Sequence, residues 1–180
     1  MKIKNEKELL ELFVEKDYRE RFTRPFLNEY YEPQVWATNR QVLIVVRKDC
    51  LTGEYPKEKA QIRGLDERNF YSVVTKQALQ DALGKCEQVE EVVTGKMIAN
   101  PENYVRIDAM AAKVSEVQIV IKAMELLGID EIYHYVNANI KPNLFIINND
   151  IKLIWMGRAC EDDMELVKVE TKVDKYIRTI

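Results

Sequence analysis

Histidine is almost missing from this chain: His134 is the single one among 180 residues. No HExxH, GxSxG, GxxxxGK[ST] or GxGxxG pattern occurs. None of the zinc-protease, serine-hydrolase, P-loop or dinucleotide-binding chemistries that those spacings serve is therefore signalled. Cysteine is scarce as well. Cys50, Cys86 and Cys160 lie far apart, are odd in number and form no CxxC. That argues against a disulfide framework and a structural zinc site, and reads as small reduced residues of a cytoplasmic protein. No stretch approaches the run of about 20 apolar residues that a membrane span needs. The opening MKIKNEKELLELF has no long apolar core and no small-residue cleavage site, so it reads as the start of a fold without a signal peptide. An excess of positive charge is missing too: 27 Lys and Arg stand against 30 Asp and Glu, a net charge of −3. Net charge alone does not point to nucleic acid, but a ring or groove can be acidic outside and basic inside.

What is present is ordinary globular composition, 47% apolar and 32% charged. This predicts one domain over residues 1–180 with a sizeable core. Leu9, Leu10, Phe13 and Val14 have helical spacing within 5–16, with Asn5 as N-cap. QVWAT and VLIVV flank Asn39 as a hairpin, and VLIVV, apolar on both faces, suits a strand covered on both sides. Residues 48–68 are polar, contain Gly53, Pro56 and Gly64, and read as a loop or insertion, the most mobile part of the chain by composition. NFYSVV reads as a strand and TKQALQDALGK as a short helix, capped by Thr75 and ended by Gly84. EVVTGKMIA suggests a strand pair turning at Gly95. YVRID is a short strand, and residues 109–127 read as the longest helix. Its buried face holds Met110, Val114, Val117, Ile121 and Met124, widened by Val120 and Leu127. Ser115, Gln118, Lys122 and Glu125 lie opposite, and Gly128 stops the helix. EIYHYV, NLFII and IKLIWM are strands, with the turn between the last two at Asn148, Asn149 and Asp150.

The two strand-rich parts resemble each other. A shift of 109 positions carries Pro33 onto Pro142, Val35 onto Leu144, Trp36 onto Phe145, Asn39 onto Asn148, Val42 onto Ile151 and Ile44 onto Leu153. A duplicated helix-plus-hairpin unit predicts pseudo-two-fold packing with helices on one face of continuous sheets, an α+β class.

His134 alternates with Ile132 and Val136, and the favoured reading is a satisfied strand histidine facing partly inward. Glu90 with Glu91, and Glu161 with Asp162 and Asp163, are acidic clusters. Carboxylates can hold Mg²⁺ or do acid–base work, but sequence neighbours seldom converge, and solvated loops are the simpler reading. No metal or cofactor is expected. Lys76 and Lys85 bracket the short helix, Lys113 and Lys122 lie on the long one, and Lys7 and Lys16 on the first. Lysines on one helical surface suit phosphate contact, although Glu8, Glu11, Asp81, Glu116 and Glu125 dilute the field and make a mixed-charge solvated face the plainer reading.

The run Ala37-Thr38-Asn39-Arg40-Gln41-Val42-Leu43-Ile44-Val45 resembles the ATDGHRLAV-type segment of bacterial DNA sliding clamps, the DNA polymerase III beta subunit family. The alanine, threonine, leucine and closing valine coincide. Asn39 stands for the family's aspartate, and Arg40-Gln41-Val42 for its Gly-His-Arg. NFYSVVTKQALQDAL is similar to the strand and helix that come next in a clamp domain. RIDAMAAKVSEVQIVIKAMELLGIDEIYHYV and NLFIINNDIKLIWM resemble the helix, strand and hairpin that complete one. Bacterial clamps have three such domains per chain, whereas this chain has room for one plus an insertion.

The resemblance implies a DNA-clamp-like duplicated fold and suggests a phage or mobile-element relative. It implies a non-enzymatic protein that binds double-stranded DNA and replication partners, with Lys76, Lys113 and Lys122 as the DNA-binding residues. Ring closure would need several copies, hence a homo-oligomer. The alternatives are a clamp-like fold used only for protein–protein assembly, and a small enzyme with its site in 48–68 and 161–163.

Overall fold

The computed structural model describes residues 2–16, 22–30, 33–62, 71–94, 104–135, 142–160 and 166–174. The chain is of the α+β class, with three α-helices and two sheets among the described residues. In order come α1 (Glu6–Glu11), β1 (Phe26–Asn28), β2 (Gln34–Thr38), β3 (Val42–Arg47), a 3-10 turn (Lys48–Cys50) and β4 (Lys57–Glu58). Then follow β5 (Tyr71–Thr75), α2 (Lys76–Thr94), β6 (Tyr104–Ile107), β7 (Met110–Lys113) and α3 (Val114–Leu127). The rest is β8 (Glu131–Tyr135), β9 (Asn143–Ile146), β10 (Ile151–Trp155), β11 (Arg158–Ala159), β12 (Val167–Lys168) and β13 (Lys172–Asp174). No helix among the described residues is long and apolar enough to cross a membrane.

The larger sheet has nine strands in the order β13-β5-β8-β9-β10-β3-β2-β1-β4, antiparallel except where β4 joins β1. The smaller has four, β11-β7-β6-β12. Alternation along β3 explains why both its faces are apolar. Val42, Ile44 and Val46 enter the main core, which α1, α2, α3 and the smaller sheet close. Leu43 and Val45 point the other way, into a second cluster with Phe26, Trp36, Leu144 and Ile154. A strand apolar on both sides is thus buried on both sides.

At the centre, β3 pairs antiparallel with β10, setting Ile44 opposite Leu153, Val42 opposite Trp155 and Val46 opposite Ile151. Val42, Ile44, Ile151 and Leu153 all enter the same core, as the 109-residue shift requires. The equivalences in the preceding strands fail. Val35 lies in the main core and Leu144 in the outer cluster, while Trp36 and Phe145 are placed the opposite way round. The cause is turn length. Thr38 pairs Leu43 across the first turn, but Ile146 pairs Lys152 across the second, one residue longer. A one-residue slip reverses every side chain of a strand.

Three other expectations are corrected. α1 is shorter than 5–16, and the Asn5 side chain makes no cap bond; its amide instead reaches Leu126 O at 3.4 Å. α2 does not stop at Gly84. It runs on through 86–94, where a strand pair was expected; Gly95 lies outside the described residues. Glycine inside a helix costs about 1 kcal/mol, a penalty that burial of Leu79, Ala82 and Cys86 on one helical face outweighs. The Thr75 cap holds, its hydroxyl accepting from Ala78 N at 3.0 Å. The long helix begins only at Val114, because Met110–Lys113 pair with β6 as β7, and α2 is the longer helix. Helix propensity in Met110–Lys113 yields to a ladder closed by a tight turn at Asp108, whose φ is 53°. Val117, Val120, Ile121 and Met124 form the buried face of α3, and Gly128 ends it at φ 66°.

The polar stretch after β3 is anchored at its start. Ile3 N donates to Cys50 O at 2.9 Å, and Cys50 and Leu51 are buried. The Glu6 carboxylate then accepts from Thr52 N, Gly53 N (2.9 Å), the Thr52 hydroxyl (2.9 Å) and the Tyr55 hydroxyl (2.7 Å). Burial opposes ionisation of Glu6, but these donors outweigh it and lower its pKa to about 2. Burial and the Glu6 charge push the Tyr55 phenol up. A carboxyl with a depressed pKa stabilises the fold above its ordinary range, and that stability is lost as pH falls through the folded value. Glu6→Gln should therefore cost about 1–3 kcal/mol at pH 7, discounted for partial exposure. It should also weaken the fall in stability between about pH 4.5 and 2. Urea melts across that range check both, and an unchanged acid limb contradicts the assignment.

Candidate functional site

α3 organises the lysines singled out by sequence. Lys113 ends β7 directly before α3, and its backbone N–H donates to Glu116 Oε1 at 3.3 Å. Lys122 is exposed in mid-helix. Lys76 opens α2, but Lys76 N donates to Asp130 O at 2.7 Å, which brings it to the far end of α3. At about 1.5 Å per residue the three are strung along roughly 25 Å. Lys76 Nζ sits 3.7 Å from Asp130 Oδ1, so part of its charge is already answered.

Carboxylates share this helical layer. A groove of about 750 Å³ runs between α1 and α3, lined by Glu8, Glu11 and Glu15 together with Leu12, Lys16 and Ile119. Glu15 Oε1 pairs with Arg40 Nε at 3.2 Å, and Glu15 Oε2 is buried without a hydrogen-bond partner among the described residues. Glu125 is exposed on α3 itself. Charges of both signs therefore lie over these helices.

Arg40 occupies the β2–β3 turn at φ 74°, a region that favours glycine. Asn39 Oδ1 accepts from Gln41 N (3.0 Å) and Val42 N (2.9 Å), and Thr38 Oγ1 accepts from Arg40 N (2.9 Å). The Arg40 guanidinium lies 5.7 Å from the Phe22 ring centroid. These contacts offset the cost of a left-handed non-glycine residue, roughly 1 kcal/mol.

His134 is 1% exposed, deeper than its alternation suggested, and it is satisfied. Its Nδ1 is 2.7 Å from Asp108 Oδ2 and its Nε2 is 3.0 Å from Asn143 Oδ1. The ring stacks on Phe145 at 4.3 Å. Asn143 Nδ2 donates to Trp155 O at 3.4 Å, which turns its carbonyl toward the ring. Trp155 Nε1 donates to Glu116 Oε1 at 3.0 Å. Asp108 Oδ1 also accepts from Thr171 Oγ1 (2.8 Å) and Ser72 Oγ (3.3 Å). Burial resists its ionisation, yet the bonds from His134 and Thr171, the His134 charge and the Ser72 bond hold its carboxyl below the usual range.

This network joins the β6–β7 turn to β5, β8, β9, β10 and α3, and so fastens the two sheets. Ser72 donates to Asp108 rather than to the ring, and Nε2 faces an amide, so the geometry is that of a fastener and differs from a hydroxyl–imidazole relay. Sequence reading missed Asp108 and Asn143, and it set Glu116 on a solvated mixed-charge face, whereas Glu116 is buried against Trp155. The available signal was Asp108 at a strand–strand turn, since Asp tolerates the left-handed region.

Among the described residues, no three His, Cys, Asp or Glu side chains converge as metal ligands. The Glu90 and Glu91 side chains and Glu161, Asp162 and Asp163 lie outside the described residues. No disulfide joins the three cysteines among the described residues; Cys50 and Cys86 are buried and Cys160 partly so. Comparison of the chain with protein-family models, with curated proteins and with solved structures finds no match.

Proposed function

We propose that this protein is a non-enzymatic, sliding-clamp-like module that engages duplex DNA or replication partners as a homo-oligomer. The observation that carries the reading is the pairing of β3 with β10. Each ends a helix-then-three-strand run, α1–β1–β2–β3 and α3–β8–β9–β10. The register sets Ile44 against its own counterpart Leu153, and Val42–Trp155 and Val46–Ile151 fall symmetrically about that pair. A local two-fold axis there would relate two duplicated units whose helices pack into one core on one sheet face. The parallel β1–β4 edge departs from that symmetry. Arg40 adds support, since it stands at φ 74° where the clamp segment has glycine.

In this reading Lys76, Lys113 and Lys122 contact phosphates without regard to sequence. Each contact releases condensed counterions, so three lysines give a log–log salt slope of about −3 per subunit. Binding to linear and circular duplexes at low salt measures it, with crosslinking to report oligomers. Replacing all three lysines with glutamine should weaken binding and flatten the slope while leaving the melting temperature within a few degrees. The mixed charge of the α1–α3 layer favours a second reading, a clamp-like fold used only for protein–protein assembly. Absence of binding to either duplex form, with a persistent monomer, removes the clamp mechanism.

A further inference from the structure

We propose that the cleft between α2 and the segment 168–172 binds ligands carrying adjacent phosphates, with Lys85, Lys168 and Lys172 as its cationic rim. The cleft has a volume of about 700 Å³, within the range of sites that hold small molecules. Gln77, Asp81 and Lys85 stand one helical turn apart, so they share a stripe of α2 along one wall. Lys168, Glu170 and Lys172 alternate along the opposite wall and are all exposed, while Val169 between them is buried. Val73 and Ala78 are half-buried beneath them and Ala82 is buried.

The charges that line this cleft are unequal. None of Lys85, Lys168 and Lys172 takes part in an ion pair among the described residues, whereas Lys57 and Lys76 are matched to Glu29 and Asp130. Asp81 Oδ1 is already occupied by Gln77 Nε2 at 2.8 Å. Three lysines thus face two carboxylates in a protein whose net charge is −3, which makes a local positive island. A row of phosphates supplies the opposite charge at the spacing of separate ammonium groups, and lysine binds phosphate as a point charge.

The wall is built before a ligand arrives. β12 pairs with β6, and β13 with β5. Between them Val169 N donates to Arg106 O at 2.8 Å, and the Thr171 hydroxyl is held by Asp108 at 2.8 Å. Binding therefore need not order this segment, which lowers its entropic cost. The proposal stands apart from the DNA reading, because it uses none of Lys76, Lys113 and Lys122.

The test is a titration of the isotope-labelled full chain with inorganic tripolyphosphate at fixed ionic strength, following backbone amides by NMR. Saturable shifts confined to Gly84–Lys85 and 168–172 are expected. Lys85→Gln, Lys168→Gln and Lys172→Gln combined should weaken binding by about tenfold or more without changing the melting temperature. Glu170→Gln should tighten it about threefold, and glutamine at Lys76, Lys113 and Lys122 should leave it unchanged. ATP and a short single-stranded oligonucleotide, titrated in parallel, show whether the phosphates come from a nucleotide or from a strand. Absence of saturable shifts with tripolyphosphate overturns the site. Shifts that survive the triple substitution, or that sulfate reproduces at equal ionic strength, do the same.

Discussion

Replacing Ile44 with aspartate should leave the chain unfolded at 25 °C. Ile44 is fully buried in the centre of β3, opposite Leu153 in the central pair of the larger sheet. A carboxylate there has no partner and no water, and burying such a group costs several kcal/mol even after it neutralises by taking up a proton. Domains of this size are stable by only about 5–15 kcal/mol, and the substitution also removes the apolar contact of a core isoleucine, worth about 2–5 kcal/mol. Ile44→Val, which deletes one methylene, should cost only about 0.5–1.5 kcal/mol and remain folded. Far-ultraviolet circular dichroism with urea melts distinguishes the two. A cooperative native-like transition in Ile44→Asp would show that the β3–β10 seam is not the centre of the core.

Asp108→Asn should cost about 1–3 kcal/mol, the usual loss when donors lose a charged acceptor in a part-buried site. Asparagine tolerates the left-handed conformation at φ 53° about as well as aspartate. The loss therefore reports the carboxylate rather than the turn. One oxygen would remain for donors that now come from Thr171, Ser72 and His134. The pH dependence has a definite sign. Asp108 is held below its ordinary range, so its contribution is complete above about pH 4 and disappears as pH falls through the depressed folded value. The wild-type acid limb should flatten in Asp108→Asn, leaving the part that belongs to Glu6. A double-mutant cycle with His134→Gln should show coupling of at least about 1 kcal/mol. Additive losses with an unchanged acid limb would mean that the pair does not fasten the sheets.

The strongest sequence signals were those that depend on neighbours in the chain. VLIVV is uniformly apolar because β3 is covered on both faces, and alternation in β8 placed His134 and Ile132 on the same inward side. Asn148 marks its turn by accepting from Asp150 N at 2.8 Å, and Gly128 marks the end of α3 through its positive φ. Other elements carry too little local signal. β4, β11 and β12 have two residues each, and exist because β1, β7 and β6 present open edges to them. Gly84 looked like a helix end because propensity is local, while the burial that carries α2 past it is tertiary.

By itself the sequence determined the α+β class, the hairpins around Asn39 and Asn148, the buried face of α3 and an inward-facing His134, since each follows from a period of 2 or 3.6 and from turn chemistry. Only the tertiary structure decided which side chains meet. The extra residue in the second turn reverses Leu144 and Phe145 relative to Val35 and Trp36. Asp108, 26 positions from His134, becomes its partner at 2.7 Å. Lys76 reaches the end of α3, and Lys85 comes to face Lys168 and Lys172 across one cleft. The physical reason is the same in each case. Periodicity assigns a residue to a face, but strand register and sheet order determine what that face is packed against, and both are set by contacts between distant parts of the chain.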